Sequence, residues 1–219
     1  MTAPGVLSLR GVEIRLDQRS LLGPLDLDIA PGQCATVMGP SGSGKSTLLN
    51  FLAGTLDPVF EARGHVTIGT RALDQIEPEH RGIGILFQDD LLFPHLSVGG
   101  NLAFALPFAV RGKGPRRMRI DAALAEAGLS GFADRDPRTL SGGQRARVAL
   151  MRTLLAEPAA LLLDEPFSKL DAKLRGEFRA FVFEHARQRL LPVLMVTHDE
   201  ADAKAAGGPI IELDEFTKS

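Results

Sequence analysis

Two periodicities divide the chain. At the start, VLSLRGVEIRL (6–16) and LLGPLDLDIAPG (21–32) alternate apolar and polar residues, which predicts antiparallel strands with one wet face. CATVMG (34–39) is a continuous apolar run ending in glycine, and KSTLLNFLAG (45–54) reads as a helix closed by Gly54. GHVTIGTRAL (64–73) predicts a further exposed strand pair and GIGILFQ (82–88) a buried strand. From about Asp89 to Leu140 the strand pattern stops. NLAFALPFAV and RIDAALAEAGL read as helices separated by the loop VRGKGPRRMR, which predicts a small inserted helical subdomain. Beyond it come a helix, QRARVALMRTLLAE, stopped by Pro158, a strand AALLLDEP, a helix GEFRAFVFEHARQRL and a strand PVLMVTH. Apolar strands alternating with helices predict an α/β fold: a parallel sheet flanked by helices, with an N-terminal antiparallel β-subdomain.

Composition changes this picture little. The 219 residues are 44% hydrophobic and 24% charged, with a formal net charge of −2. Nothing in that balance offers a general electrostatic hold on nucleic acid. No apolar run approaches the roughly 18 residues of a membrane span, and MTAPGVLSLRGVEI lacks the basic-then-apolar order of a secretory signal. The single cysteine, Cys34, excludes an internal disulfide framework and reads as a small buried apolar residue. The expected setting is the cytoplasm.

The chemistry is concentrated at strand ends. GPSGSGKST (39–47) fits G-x-x-x-x-G-K-[ST] between a strand and a helix. Gly39, Gly42 and Gly44, with Pro40, Ser41 and Ser43 between them, let backbone wrap a phosphate. Lys45 brings a point charge to the terminal phosphates, and Ser46, followed by Thr47, brings a hydroxyl for Mg²⁺. Three other strands end in polar groups: Asp164 and Glu165, Gln88, and His198. In parallel α/β sheets ligands sit beyond the carboxyl ends of the strands. Asp164 could therefore hold Mg²⁺, Glu165 could polarise an attacking water, and Gln88 and His198 could touch the γ-phosphate or that water. Singly each has a blander meaning: a turn or cap for the acidic pair, a structural histidine, an exposed glutamine.

TLSGGQRARVAL (139–150) raises a separate question. Ser141 and Gln144 have the S-x-x-Q spacing of a capping box. Yet Gly142 and Gly143 weaken a helix start, and a cap does not need them. The alternative is a second phosphate-facing helix start, gripping from the opposite side an ATP held by another copy of the chain.

Taken in order, GPSGSGKST, Gln88, LSGGQ, LLLDEP, SKLD (168–171) and His198 resemble the ATP-binding subunits of ABC transporters over essentially the whole chain. The resemblance implies a P-loop NTPase core (1–88 and 146–219) with a helical subdomain (89–145). It also implies a homodimer holding ATP between residues 39–47 of one copy and Ser141–Gln144 of the other. In it Glu165 is the catalytic base, Gln88 a magnesium and water contact, and Asp171 communicates across the interface. Membrane-embedded permease subunits on the inner face of the cell membrane are the implied partners. GILFQDDLLFPHLSVGGNLAFALP and the stretch from Ala146 to Asp171 look closest to YnjD-type solute importers, which implies a separate solute-binding protein; Phe93, Pro94 and Leu96 are the residues set to meet the permease or, equally, to pack the subdomain. ATPases driving export, lipid extraction or mechanical signalling, and soluble ATPases acting on DNA or ribosomes, remain the alternatives.

Three departures qualify the resemblance. The family stacks adenine on an early aromatic ring; this chain has no Tyr or Trp, and the matching position is Leu16. Gly100 stands where relatives carry Glu, so Ser97 lacks a capping-box partner, and that helix start is expected to be more mobile. The chain ends with PIIELDEFTKS, so no C-terminal sensing domain is expected. The five basic residues of RGKGPRRMR are expected in a solvated loop.

Overall fold

The computed structural model describes residues 5–17 and 19–213, so the first four residues of the N-terminal reading and the end of PIIELDEFTKS lie outside it. The chain gathers into two compact units. One comprises residues 1–85, 159–165 and 183–219, the other 86–158 and 166–182.

In the first unit, β1 (Leu7–Leu16) pairs antiparallel with β2 (Arg19–Ile29) and β4 (Phe60–Ile68), and β4 with the short β5 (Arg71–Ala72), giving the order β2-β1-β4-β5. The alternation in the sequence sets the faces: Leu7, Leu9, Val12 and Ile14 are fully buried while Arg10 stands in solvent. A second sheet runs β6-β7-β8-β3-β9, from β3 (Cys34–Met38), β6 (Ile83–Leu86), β7 (Ala160–Asp164), β8 (Val193–Thr197) and β9 (Ile210–Glu212). Its β7–β8, β8–β3 and β3–β9 pairs are parallel. Strands β3, β7 and β8 carry the continuous apolar runs because both faces are covered. Helix α1 (Lys45–Ala53) sends Leu48, Leu49 and Leu52 into a core shared by both sheets. GIGILFQ is less buried than its composition predicts: β6 is an edge strand, and Ile83 and Ile85 are half-exposed.

Buried Arg81 finishes α1. Its guanidinium donates to the carbonyls of Phe51 and Leu52, at 2.9 and 2.8 Å, and to that of Ile76 at 2.9 Å. Those α1 carbonyls are among the last four, which have no partner inside a helix.

The second unit is built on α2 (Val98–Phe104), α3 (Lys113–Glu126), α4 (Gly142–Leu155) and the first part of α5 (Ala172–Gln188). Helix α4 packs on α2 and α3, so residues 146–158, expected with the ATP-binding core, gather with the helices. Two expectations change. RGKGPRRMR is not a loop: α3 begins at Lys113, with Pro115 in its first turn, where a missing N–H costs nothing. NLAFALPFAV forms a shorter helix that stops at Phe104, ahead of Pro107. The Ser97 cap survives beside Gly100: its hydroxyl accepts from the Gly100 N–H at 3.1 Å. Fully buried Asn101 adds bonds to the backbone of Phe93 and Ser97, fixing the preceding turn.

Candidate functional site

Residues 39–47 form a loop and the first turn of α1. Gly42 and Gly44 adopt φ of 85° and 87°, a left-handed conformation that glycine enters without Cβ strain. A Cβ on Gly39 would lie 2.7 Å from Ser43 Oγ and 2.9 Å from the Leu213 carbonyl, so the loop closes only around glycine. No side chain caps the start of α1 and no acidic residue lies in its first turn, leaving its N–H groups and positive dipole end for an anion. Lys45 is only 6% exposed, and its ammonium donates to the Gly39 and Pro40 carbonyls at 2.7 Å each. Ser43 Oγ is buried without a hydrogen-bond partner among the described residues. A buried ammonium and an unpaired hydroxyl in a glycine cradle fit the phosphates of a nucleotide. Pro40, Ser41 and Thr47 complete the loop at half-exposed or exposed positions.

Asp164 ends β7, and Ser46 donates to its Oδ1 at 3.3 Å. Burial pushes the Asp164 carboxyl above the usual carboxylate range, against the pull of the Ser46 bond, while the Glu165 charge adds to the rise. No cluster of three or more His, Cys, Asp or Glu able to hold a metal occurs among the described residues. A hydroxyl and a carboxylate side by side suit Mg²⁺, which keeps several waters and shares its shell with phosphate oxygens.

Glu165 follows at φ 45°, a strained setting for a non-glycine residue of the kind that collects at functional sites. Its N–H is held by the Val196 carbonyl at 3.0 Å, and its Oε1 lies 3.1 Å from Nδ1 of His198, just past β8. The structure thus brings Lys45, Ser46, Asp164, Glu165 and His198 together in the first unit. Leu16 closes β1, half-exposed, facing Arg19 and Phe60 across the ladder. The β1–β2 hairpin runs beside the loop: a Cβ on Gly44 would lie 3.3 Å from the Leu21 carbonyl.

Gln88, Ser141–Gln144 and Asp171 belong to the second unit. Gln88 is exposed just after β6. Ser141 and Gln144 do form a capping box: Ser141 Oγ accepts from the Gln144 N–H at 3.3 Å, and Gln144 Oε1 accepts from the Ser141 N–H at 2.9 Å. Gly143 has a separate reason. A Cβ on Gly143 would press to 3.2 Å from the Leu174 side chain, so glycine lets α4 start close to α5 without displacing that leucine. Asp171 caps α5, its Oδ1 accepting from the N–H groups of Lys173 and Leu174 at 3.2 and 3.1 Å.

Sequence reasoning missed two parts of these surroundings. Asp199, next to His198, caps α6 (Glu200–Ala206) by accepting from Ala201 and Asp202. An aspartate before an alanine-rich run closed by Gly207 was a usable signal. Asp89, Asp90, Arg145, Arg152 and Lys169 form ion pairs and backbone bonds around the turn after Gln88, and no local pattern marks them.

Residues 22–168 match the family described as ABC transporter. YnjD of Escherichia coli K12, an ABC transporter ATP-binding protein, is 48% identical over 91% of this chain and 92% of its own length. The Fe(3+) ions import ATP-binding protein FbpC of Streptomyces avermitilis is 42% identical over 94% of the chain. The chain spans 59% of its length. The spermidine/putrescine import ATP-binding protein PotA of Marinobacter nauticus is 40% identical over 96% of the chain, which spans 56% of it. Among solved structures, a dimeric bacterial ABC transporter cassette superposes with a TM-score of 0.77 at 32% identity, covering 95% of this chain and 94% of its own.

Proposed function

From the premise that this chain belongs to the ABC transporter family as an ATP-binding subunit, we propose that it hydrolyses ATP to drive import of a small solute through membrane permease subunits. The observation that carries the reading is the grouping of Lys45, Ser46, Asp164, Glu165 and His198 around one glycine loop. The import names of the relatives FbpC and PotA support the direction of transport.

Residues 39–47 receive the ATP phosphates, and Lys45 exchanges its carbonyl partners for phosphate oxygens. Ser46 and Asp164 would hold a Mg²⁺ ion, which would offset charge on the phosphates. Glu165 takes the proton of the attacking water, and the His198 imidazole orients its carboxylate. Ser141, Gly142, Gly143 and Gln144 grip the γ-phosphate of ATP bound to a second copy of the chain, and Asp171 lies in the same interface. Leu16 covers the adenine. Since only ATP offers a γ-phosphate to the opposing loop, ATP closes the dimer and hydrolysis releases it. The subunit works on the cytoplasmic face of the membrane, attached through its permeases and fed by a separate solute-binding protein. No helix among the described residues is long and apolar enough to cross a membrane by itself.

The test is Glu165→Gln with size analysis in ATP and magnesium. The expected result is loss of steady turnover with accumulation of an ATP-bound dimer. Unchanged turnover would remove Glu165 as the base. A tagged chain drawn gently from native membranes should bring a multispan permease; ribosomal or repair factors in its place would move the protein to a soluble role.

A further inference from the structure

The turn after Gln88 is held by cations that none of these roles uses. Asp89 pairs with Lys169. Asp90 Oδ2 accepts from Arg145 Nε at 2.8 Å, while Arg145 also donates to the Leu140 carbonyl at 2.7 Å, immediately before Ser141. Arg152 donates to the carbonyls of Leu91 and Asp90 at 2.8 and 3.1 Å. Leu91 sits at φ 45°, where a leucine stays only if neighbours hold it. Arg145 and Arg152 belong to one rigid helix, α4, so they fix the turn to the helix that Ser141 begins. Lys169 differs: it lies on the segment 166–171, two residues before Asp171. Gln88, Gly142, Arg145 and Lys169 line one cleft of about 130 Å³.

We propose that Lys169 is a positioning residue, whose ion pair with Asp89 ties the turn after Gln88 to the segment that carries Asp171. A displacement of that turn is then delivered to Asp171 as well as to Ser141. The catalytic consequence rests on the functional reading above; the mechanical link does not. Both partners are more than half exposed, at 52% and 64%, and an exposed pair adds little to folding. Variants therefore report on the link with the fold intact.

The experiment uses the full chain and the variants Asp89→Ala, Lys169→Ala, Lys169→Arg and the exchanged pair Asp89→Lys with Lys169→Asp. Hydrogen exchange is read at the Lys173 and Leu174 amides, which Asp171 holds. Either alanine variant should speed exchange there several-fold. Lys169→Arg and the exchanged pair should return it to the unsubstituted rate. In ATP turnover the alanine variants should lower kcat three- to ten-fold with KM within two-fold, again restored by the exchanged pair. Unaltered exchange in Asp89→Ala would overturn the link. Faster exchange with unchanged kcat would overturn the positioning role. A chain with no ATP turnover at all would strike the functional reading, and exchange would still decide the link.

Discussion

Substituting Ser141 separates the two readings of LSGGQ. As a cap, Ser141 makes one side-chain bond, 3.3 Å to the Gln144 N–H, while the reciprocal 2.9 Å bond uses its backbone N–H and survives a change to alanine or aspartate. Ser141→Ala should therefore cost about 1 kcal/mol of stability. In a chain of this size that is a fall of about 2–4 °C in melting temperature. Ser141→Asp keeps the cap, because aspartate caps as well as serine and its charge suits a helix start; its melting temperature should stay within about 2 °C of the original. If the loop receives a γ-phosphate, however, the aspartate places an anion against it. At about 4 Å and an effective dielectric near 20 that repulsion is roughly 4 kcal/mol, about a thousand-fold in turnover. The assay is a thermal melt beside steady-state ATP hydrolysis with magnesium, on both variants. Loss of turnover in Ser141→Asp with an unshifted melt is expected. Turnover within three-fold of the original would show that LSGGQ is a cap and nothing more.

Three further outcomes follow from the geometry. With Leu16 in place of a ring, a nucleotide titration should show weak preference for adenine and a high KM, and Leu16→Tyr should tighten ATP by about five- to 150-fold, the worth of roughly 1–3 kcal/mol of stacking; tight adenine-selective binding by the original chain would refute this. Burial raises the Asp164 pKa, so the ligand-free fold is less stable where Asp164 must ionise, and its stability falls as pH rises from the ordinary carboxylate range through the raised value. Asp164→Asn should accordingly raise the neutral-pH melting temperature without ligand, lose that advantage in acid where the carboxyl is already neutral, and abolish magnesium-dependent turnover; a melt lowered at pH 7 would contradict it. Arg81→Ala strips its bonds from three carbonyls, two of them at the end of α1, and should cost about 3 kcal/mol, read as a fall of about 6–12 °C in a thermal melt; a loss under about 1 kcal/mol would mean that water replaces the guanidinium.

What the sequence carried legibly was whatever repeats locally. Alternation along β1 and β2 and the apolar runs of β3, β7 and β8 fix their faces, and the strand ends bring Asp164, Glu165 and His198 to the glycine loop. RGKGPRRMR misled because glycine and proline usually punctuate loops, yet in a first helical turn neither removes a needed bond. Arg81 and Lys169 gave no signal: each acts on groups distant in sequence, Phe51 and Asp89, and a lone cation next to turn residues looks like surface. The two glycines of LSGGQ were visible as an anomaly, but the neighbour that crowds Gly143, Leu174, lies in α5.

The chain passes from one compact unit to the other four times, at 85/86, 158/159, 165/166 and 182/183. Two crossings fall beside Pro158 and Pro166, where the backbone already turns out of a regular element. The other two fall inside β6 and α5. A chimera that exchanges the helical unit with that of a relative is therefore a four-cut graft. Its proline junctions tolerate a change of sequence, whereas those in β6 and α5 must preserve strand register and helical phase to the residue.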